Sequence, residues 1–208
     1  MADIPVYLIA GFLDGGKTDF INGILEDGFA REDKTLLICC EEGDTEYDPE
    51  LLKKTNTILV NVESMDEISP ERLTELELLH NPERVLMEWN GMWNQDDLKL
   101  PKDWEVYQQI TIIDGSTFDL YVKNMKPLLG AMVRNSELII CNRCDDVEDL
   151  EGYRRTLLAM NNQAEIVFED AEGEISEISE ADLPYDLSAD LTVIAPEDFG
   201  IWYIDCMD

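Results

Sequence analysis

Basic residues are scarce in this chain. Fifteen Lys+Arg face 47 Asp+Glu over 208 residues, for a formal net charge of −32. A field this negative repels phosphate backbones and anionic lipid, which excludes nucleic acid and membrane surfaces as main partners. It is compatible with metal cations, a basic protein partner, or a small anion held at a locally positive site. There is a single histidine, His80, so a His-rich metal centre is excluded. Its place at the end of an amphipathic stretch predicts a capping or surface role. No apolar run approaches the ~18 residues that a membrane span needs. The opening Met1-Ala2-Asp3-Ile4-Pro5 lacks a basic n-region, so neither membrane insertion nor a signal peptide is expected. Cysteines number five, and Cys39, Cys40, Cys141 and Cys144 lie in or beside apolar runs. That usage predicts reduced thiols in a cytoplasmic protein rather than a disulfide framework.

What is present is a foldable core. Hydrophobic residues make up 45% of the chain, enough for one domain with a modest appendage. Strands are expected at Val6–Ala10, Thr35–Cys40, Thr57–Val60, Val85–Met87, Ile110–Ile113, Leu138–Cys141 and Ile166–Phe168. Most of these runs are continuously apolar, the pattern of strands covered on both faces of a parallel sheet. Helices are expected at Lys17–Glu26, Pro49–Lys54, Pro70–Leu79, Thr117–Met132 and Val147–Met160. The alternation predicts a doubly wound α/β fold with a mostly parallel sheet and helices on both faces. Residues 1–168 form the expected domain. From Glu169 to Asp190 acids recur without a Lys or Arg, so 169–208 is expected to be an acidic linker and tail, or the start of a second domain.

The strongest chemical signal is Gly11-Phe12-Leu13-Asp14-Gly15-Gly16-Lys17-Thr18. A glycine, four residues, then Gly-Lys-Thr between a strand and a helix is the P-loop arrangement. Gly11, Gly15 and Gly16 let backbone N–H groups curl round phosphates, and the helix N-terminus adds a positive dipole end. Lys17 is expected to bridge the β- and γ-phosphates, and Thr18 to ligate Mg²⁺. Asp14 places a carboxylate inside the anion-binding loop, a role the spacing does not explain. A second signal, Asn142-Arg143-Cys144-Asp145 at a strand end, has the form of a guanine-reading motif with Arg for Lys. A carboxylate at Asp145 accepts from guanine N1–H and its 2-amino group, which adenine does not offer. The stem of Arg143 is suited to cover the base. Cys141 and Cys144 form a Cys-x-x-Cys, but with no second Cys/His pair nearby they read as core and pocket thiols.

Glu88 ends the strand Val85–Met87, and Gly91 follows three residues later, the shape of a Walker B and switch II segment. Glu88 is expected to hold the Mg²⁺ shell or orient the attacking water, and the Gly91 amide to sense the γ-phosphate. After the second strand, Cys40-Glu41-Glu42-Gly43-Asp44 supplies acids for Mg²⁺. Cys40 with Glu41 or Glu42 also offers a mixed sulfur and oxygen site to a transition metal.

Together, Ile4–Leu13 with Gly16-Lys17-Thr18, Glu41-x-Gly43-Asp44, Glu88-x-x-Gly91 and Asn142-Arg143-Cys144-Asp145 resemble the CobW-type GTPases, the metallochaperone family that includes HypB and UreG. The resemblance spans about residues 4–168. It implies a P-loop domain that binds GTP·Mg²⁺, hydrolyses it slowly, and handles Zn²⁺ or a related metal for a client metalloprotein. The family's Gly-Cys-x-Cys-Cys motif has no counterpart here, and Thr57–Ser69 contains no cysteine. Alternative readings are a nucleotide-gated interaction module docking through the acidic tail and exposed Trp89 and Trp93, or a small-molecule kinase.

Overall fold

The computed structural model describes residues 4–29, 33–41, 46–170 and Gly173. Seven strands form one sheet: β1 (Ile4–Ala10), β2 (Thr35–Cys39), β3 (Thr57–Asn61), β4 (Arg84–Glu88), β5 (Trp104–Asp114), β6 (Leu138–Asn142) and β7 (Glu165–Phe168). Their order is β3-β2-β4-β1-β5-β6-β7, and every recorded pairing is parallel. The helices are α1 (Lys17–Asp27), α2 (Pro49–Lys54), α3 (Pro70–His80), α4 (Phe118–Asn124), α5 (Lys126–Arg134) and α6 (Leu150–Met160).

Strand alternation divides the core between two faces of the sheet. In β1, Val6, Leu8 and Ala10 join Leu73, Leu76, Leu129 and Leu157 on one side. Tyr7 and Ile9 join Ile21, Ile24, Leu51 and Leu52 on the other. Both faces are therefore covered, α1 and α2 on one and α3, α5 and α6 on the other, which is the doubly wound arrangement. Local signals start the helices where expected. The Ser69 hydroxyl accepts from Arg72 N–H (3.2 Å) ahead of Pro70, and Asp48 accepts from Glu50 N–H (2.9 Å) ahead of Pro49. His80 sits in the last turn of α3, before the left-handed cap Asn81.

Two expectations need correction. The helix predicted over Thr117–Met132 is two helices broken at Met125. Pro127 has no N–H to give the carbonyl four residues back, so the first helix ends and a second begins. β5 is also much longer than Ile110–Ile113, because Gln108 and Gln109 interrupt the apolar run yet are buried. Gln109 donates to Met132 O (2.6 Å) and accepts from Gln95 (2.5 Å), so its amide is satisfied inside the core.

Candidate functional site

Because all the strands are parallel, their carboxyl ends lie along one edge of the sheet. The segments after β1, β2, β4, β5, β6 and β7 meet there, the place where open α/β sheets bind ligands. Every sequence-predicted site residue among those described sits on these segments. Glu42, Gly43 and Asp44 lie outside the described residues.

The loop after β1 turns tightly, with Gly15 N–H on Phe12 O (3.1 Å). Asp14 takes a left-handed φ of 56°, and its carbonyl accepts from Arg143 Nη1 (2.8 Å). Its side chain belongs to an exposed residue, so the loop uses the backbone of Asp14. Gly16 caps α1 at φ 96°, and a Cβ there would stand 2.6 Å from Asn142 Nδ2. Glycine is thus required at Gly16 for conformation and for space. The cradle suits an anion: its glycine backbone turns at the start of an eleven-residue helix, where the dipole end is positive.

Lys17 is 2% exposed, and its ammonium is fully engaged. It donates to Gly11 O (3.0 Å), to Phe12 O (2.8 Å) and to the carboxylate of Glu41. Burial pushes the Glu41 carboxyl above its ordinary range, opposed by the adjacent Lys17 charge.

Glu88 is buried at the end of β4, and both its oxygens are used. Oε1 accepts from the Thr18 hydroxyl (2.8 Å); Oε2 accepts from Tyr47 OH (2.5 Å) and Cys39 Sγ (3.2 Å). A hydroxyl and a carboxylate side by side form a hard oxygen pair of the kind that suits Mg²⁺. Gly91 packs on the loop after β1, since a Cβ would meet Gly11 O at 2.4 Å. Here the space itself demands glycine.

The sulfur that reaches Glu88 is that of Cys39, not Cys40. Successive strand residues point to opposite faces, so Cys40 joins the apolar cluster of Leu36, Ile38 and Val62 while Cys39 lies on the other face. Burial raises both thiols, Cys39 to about 12, so they are neutral donors. Among the described residues, no three His, Cys, Asp or Glu side chains converge on a point a metal could occupy. The described side chains therefore do not fit a transition-metal centre at Cys40.

At the other end of the edge, Asn142 Nδ2 donates to Gly15 O (2.8 Å), while its Oδ1 is buried without a partner. Arg143 has a left-handed φ of 52° and pairs with Asp114 Oδ2 (2.7 Å) as well as with the carbonyl of Asp14. A cavity of about 240 Å³ opens beside this clasp, lined by Phe12, Asp14, Asp114, Tyr121 and Arg143. Asp145 is exposed. Its loop is tied to β7 through Cys144 N–H on Glu169 O (2.8 Å) and Glu169 N–H on Cys141 O (2.8 Å). Cys141 and Cys144 are free and buried, with thiols raised chiefly by burial, as core and pocket thiols should be.

Several participants escaped sequence reasoning. Glu169 heads the acidic stretch in composition, yet it is 3% exposed and its Oε1 has no partner. Burial, then Asp170, pushes its carboxyl up to about 8. Tyr47 and Asp114 gave no local signal, because their partners lie 41 and 29 residues away. Trp89 is fully buried rather than exposed, edge-on to a partly buried Trp93 with centroids 5.6 Å apart. Trp89 therefore offers no exposed docking surface. No helix among the described residues is long and apolar enough to cross a membrane.

Solved structures similar to this chain share the architecture. HypB, a hydrogenase maturation factor from Archaeoglobus fulgidus, aligns with TM-score 0.61 at 17% identity over 81% of this chain and 82% of its own. The Zn(II)-bound YjiA GTPase from E. coli gives 0.59 at 20% identity over 80% of this chain, which spans 57% of that protein. HypB from Helicobacter pylori in complex with nickel gives 0.52 at 14% identity, over 82% and 80% of the two chains. These likenesses establish the fold. Comparison with curated proteins finds no match. The family model for the CobW/HypB/UreG nucleotide-binding domain matches residues 5–168, and the chain belongs to that family of P-loop GTPase domains.

Proposed function

We propose that the protein is a cytoplasmic, GTP-binding switch that hydrolyses GTP slowly with Mg²⁺ and acts in metalloprotein assembly. The observation that carries this reading is the junction of the two ends of the edge: Asn142, from the base-reading motif, bonds Gly15 of the phosphate loop. One ligand with a base and a phosphate chain accounts for both, and the orphaned Asn142 Oδ1 awaits a donor. Gly11, Asp14, Gly15 and Gly16 would offer backbone N–H groups to the phosphates, and Lys17 its ammonium. Asp145 would read the guanine edge and Arg143 cover its face.

Thr18 and Glu88 would hold Mg²⁺, with Glu41 and Glu42 as further oxygen ligands; the ion supplies charge neutralisation on the phosphates. In hydrolysis a water attacks the γ-phosphorus and the bond to the β–γ bridging oxygen breaks, giving GDP and inorganic phosphate. Glu88 orients that water, and Lys17 balances charge on the leaving diphosphate. The arginine that reaches the phosphate loop, Arg143, is spent on the Asp14 carbonyl and Asp114, so turnover unaided should be roughly 10⁻⁴–10⁻² s⁻¹.

Glu41 holds the proton donors that a γ-phosphate would need, so entry of nucleotide must displace it. Its release from Lys17 would be the signal that nucleotide has entered, with Gly91 reporting from the other side. Family membership and the zinc- and nickel-containing similar structures support a metal, Zn²⁺ or a related ion, as cargo for a client metalloprotein. Residues 1–168 would be the switch, with Glu169 packed into it, and the rest of 169–208 its acidic extension.

Calorimetry with GTP and ATP analogues plus Mg²⁺, repeated with Zn²⁺, tests base choice and metal coupling together. GTP-selective binding that Lys17→Ala weakens by at least ~100-fold is expected. Unchanged nucleotide affinity in that variant would sink the reading.

A further inference from the structure

We propose that Tyr47 is the positioning residue of the magnesium-side carboxylate, clamping one oxygen of Glu88 so that the other is presented to Thr18 and the ion. The inference rests on the nucleotide reading above and adds a residue to it.

A carboxylate on a flexible two-carbon stem has two equivalent oxygens and no reason to present one of them. Here the equivalence is broken. Oε2 takes the Tyr47 hydroxyl at 2.5 Å and the Cys39 thiol at 3.2 Å, while Oε1 takes the Thr18 hydroxyl at 2.8 Å. The phenol supplies the strong bond: O–H to carboxylate contacts of this length are charge-assisted, whereas a thiol is a weak donor. Tyr47 can hold a fixed position because it is itself held. It is 9% exposed, belongs to the same apolar cluster as Leu51 and Leu52, and immediately precedes Asp48, the side-chain cap of α2. With the Thr18 hydroxyl given over to an ion, Oε1 would be the oxygen left to serve its shell. Oε2 stays where Tyr47 holds it. The geometry needed for Mg²⁺ is thus built before the ion arrives, which lowers the ordering cost of binding.

The test titrates Mg²⁺ into the full chain with a fluorescent GTP analogue, in the wild type and in Tyr47→Phe. Removing the hydroxyl should raise the Mg²⁺ midpoint about tenfold, the size of one hydrogen bond to a charged group. Nucleotide affinity in chelator should change less than about twofold. On a Glu88→Gln background, Tyr47→Phe should add no further shift, because the side chain it clamps no longer presents a carboxylate oxygen to the ion. An unchanged midpoint overturns the proposal. So does equal weakening with and without Mg²⁺, which a merely structural tyrosine would produce. Thermal melting checks the fold of the variant. If Tyr47→Phe is unfolded, Tyr47→Met decides, since a flexible apolar chain refills the cluster of Leu51 and Leu52 and likewise lacks the hydroxyl: a midpoint raised about tenfold supports the clamp and none overturns it. A wild type that binds no nucleotide would fail the functional reading itself, whereas a Mg²⁺-responsive wild type with an unresponsive Tyr47→Phe fails the clamp alone.

Discussion

The two ends of the ligand-facing edge are built by different means. At the phosphate end, Lys17, Glu41, Thr18, Glu88, Tyr47 and Cys39 are half-buried or buried, and bond one another side chain to side chain. At the base end the fixing bonds run largely through backbone: Asp14 O, Gly15 O, Glu169 O and Cys141 O. The reading side chain, Asp145, is left exposed. The difference teaches where coupling can arise. A network of exchangeable side-chain bonds must rearrange when a ligand substitutes for one member, as a phosphate would for Glu41. A loop fastened through its backbone keeps its shape and only selects.

That comparison can be broken or sharpened. The largest effect is expected at the base end, where Asp145→Ala should collapse the preference for GTP over ATP by about 10³-fold, checked by competition binding. ATP affinity should change little, because selection there is separate from phosphate binding. A matching loss for both nucleotides would break the distinction.

Next comes Glu169, the buried acid that supports the base loop. Folded, it keeps its proton up to about 8, against 4.5 for the ordinary carboxyl it becomes on unfolding. The stability that goes with its raised value is fully present below about pH 4.5 and falls as pH rises to about 8. Glu169→Gln should therefore be neutral at pH 4–5 and stabilising by on the order of 3 kcal/mol at pH 8, seen in denaturant melts. A pH-independent difference would count against it.

The smallest effect belongs to the phosphate end. Glu41→Gln removes the competitor for Lys17, so nucleotide should bind about tenfold tighter in chelator, by fluorescence titration. The ligand-free variant should melt lower, since the buried Lys17 loses its charged partner. Weaker binding in chelator would show that Glu41 assists rather than competes.

Much of this was legible in the residues. All seven strands are built on the apolar runs that marked them, and α2 begins at the Asp48-Pro49 signal and α3 at Ser69-Pro70. The glycine spacing identified the cradle, because phosphate binding by backbone N–H constrains local sequence directly. Harder to see were features whose partners are remote. Gln108 and Gln109 look like a strand end until Gln95 and Met132 satisfy Gln109. Trp89 looks exposed until parallel pairing turns it into the core, its N–H on Ile9 O at 2.8 Å.

The scarcity of basic residues takes on a sharper form in the fold. By itself the sequence determined the strand and helix alternation, the anion cradle between β1 and α1, and the exclusion of polyanionic partners, because each depends on neighbours in the chain or on composition. Only tertiary structure decided that one of the few lysines, Lys17, is buried and paired with Glu41, that Glu88 is clamped by Tyr47, and that Glu169 leaves the acidic stretch for the interior. Those facts depend on which strand ends lie side by side, and parallel order brings together residues that sequence keeps 24 to 70 positions apart.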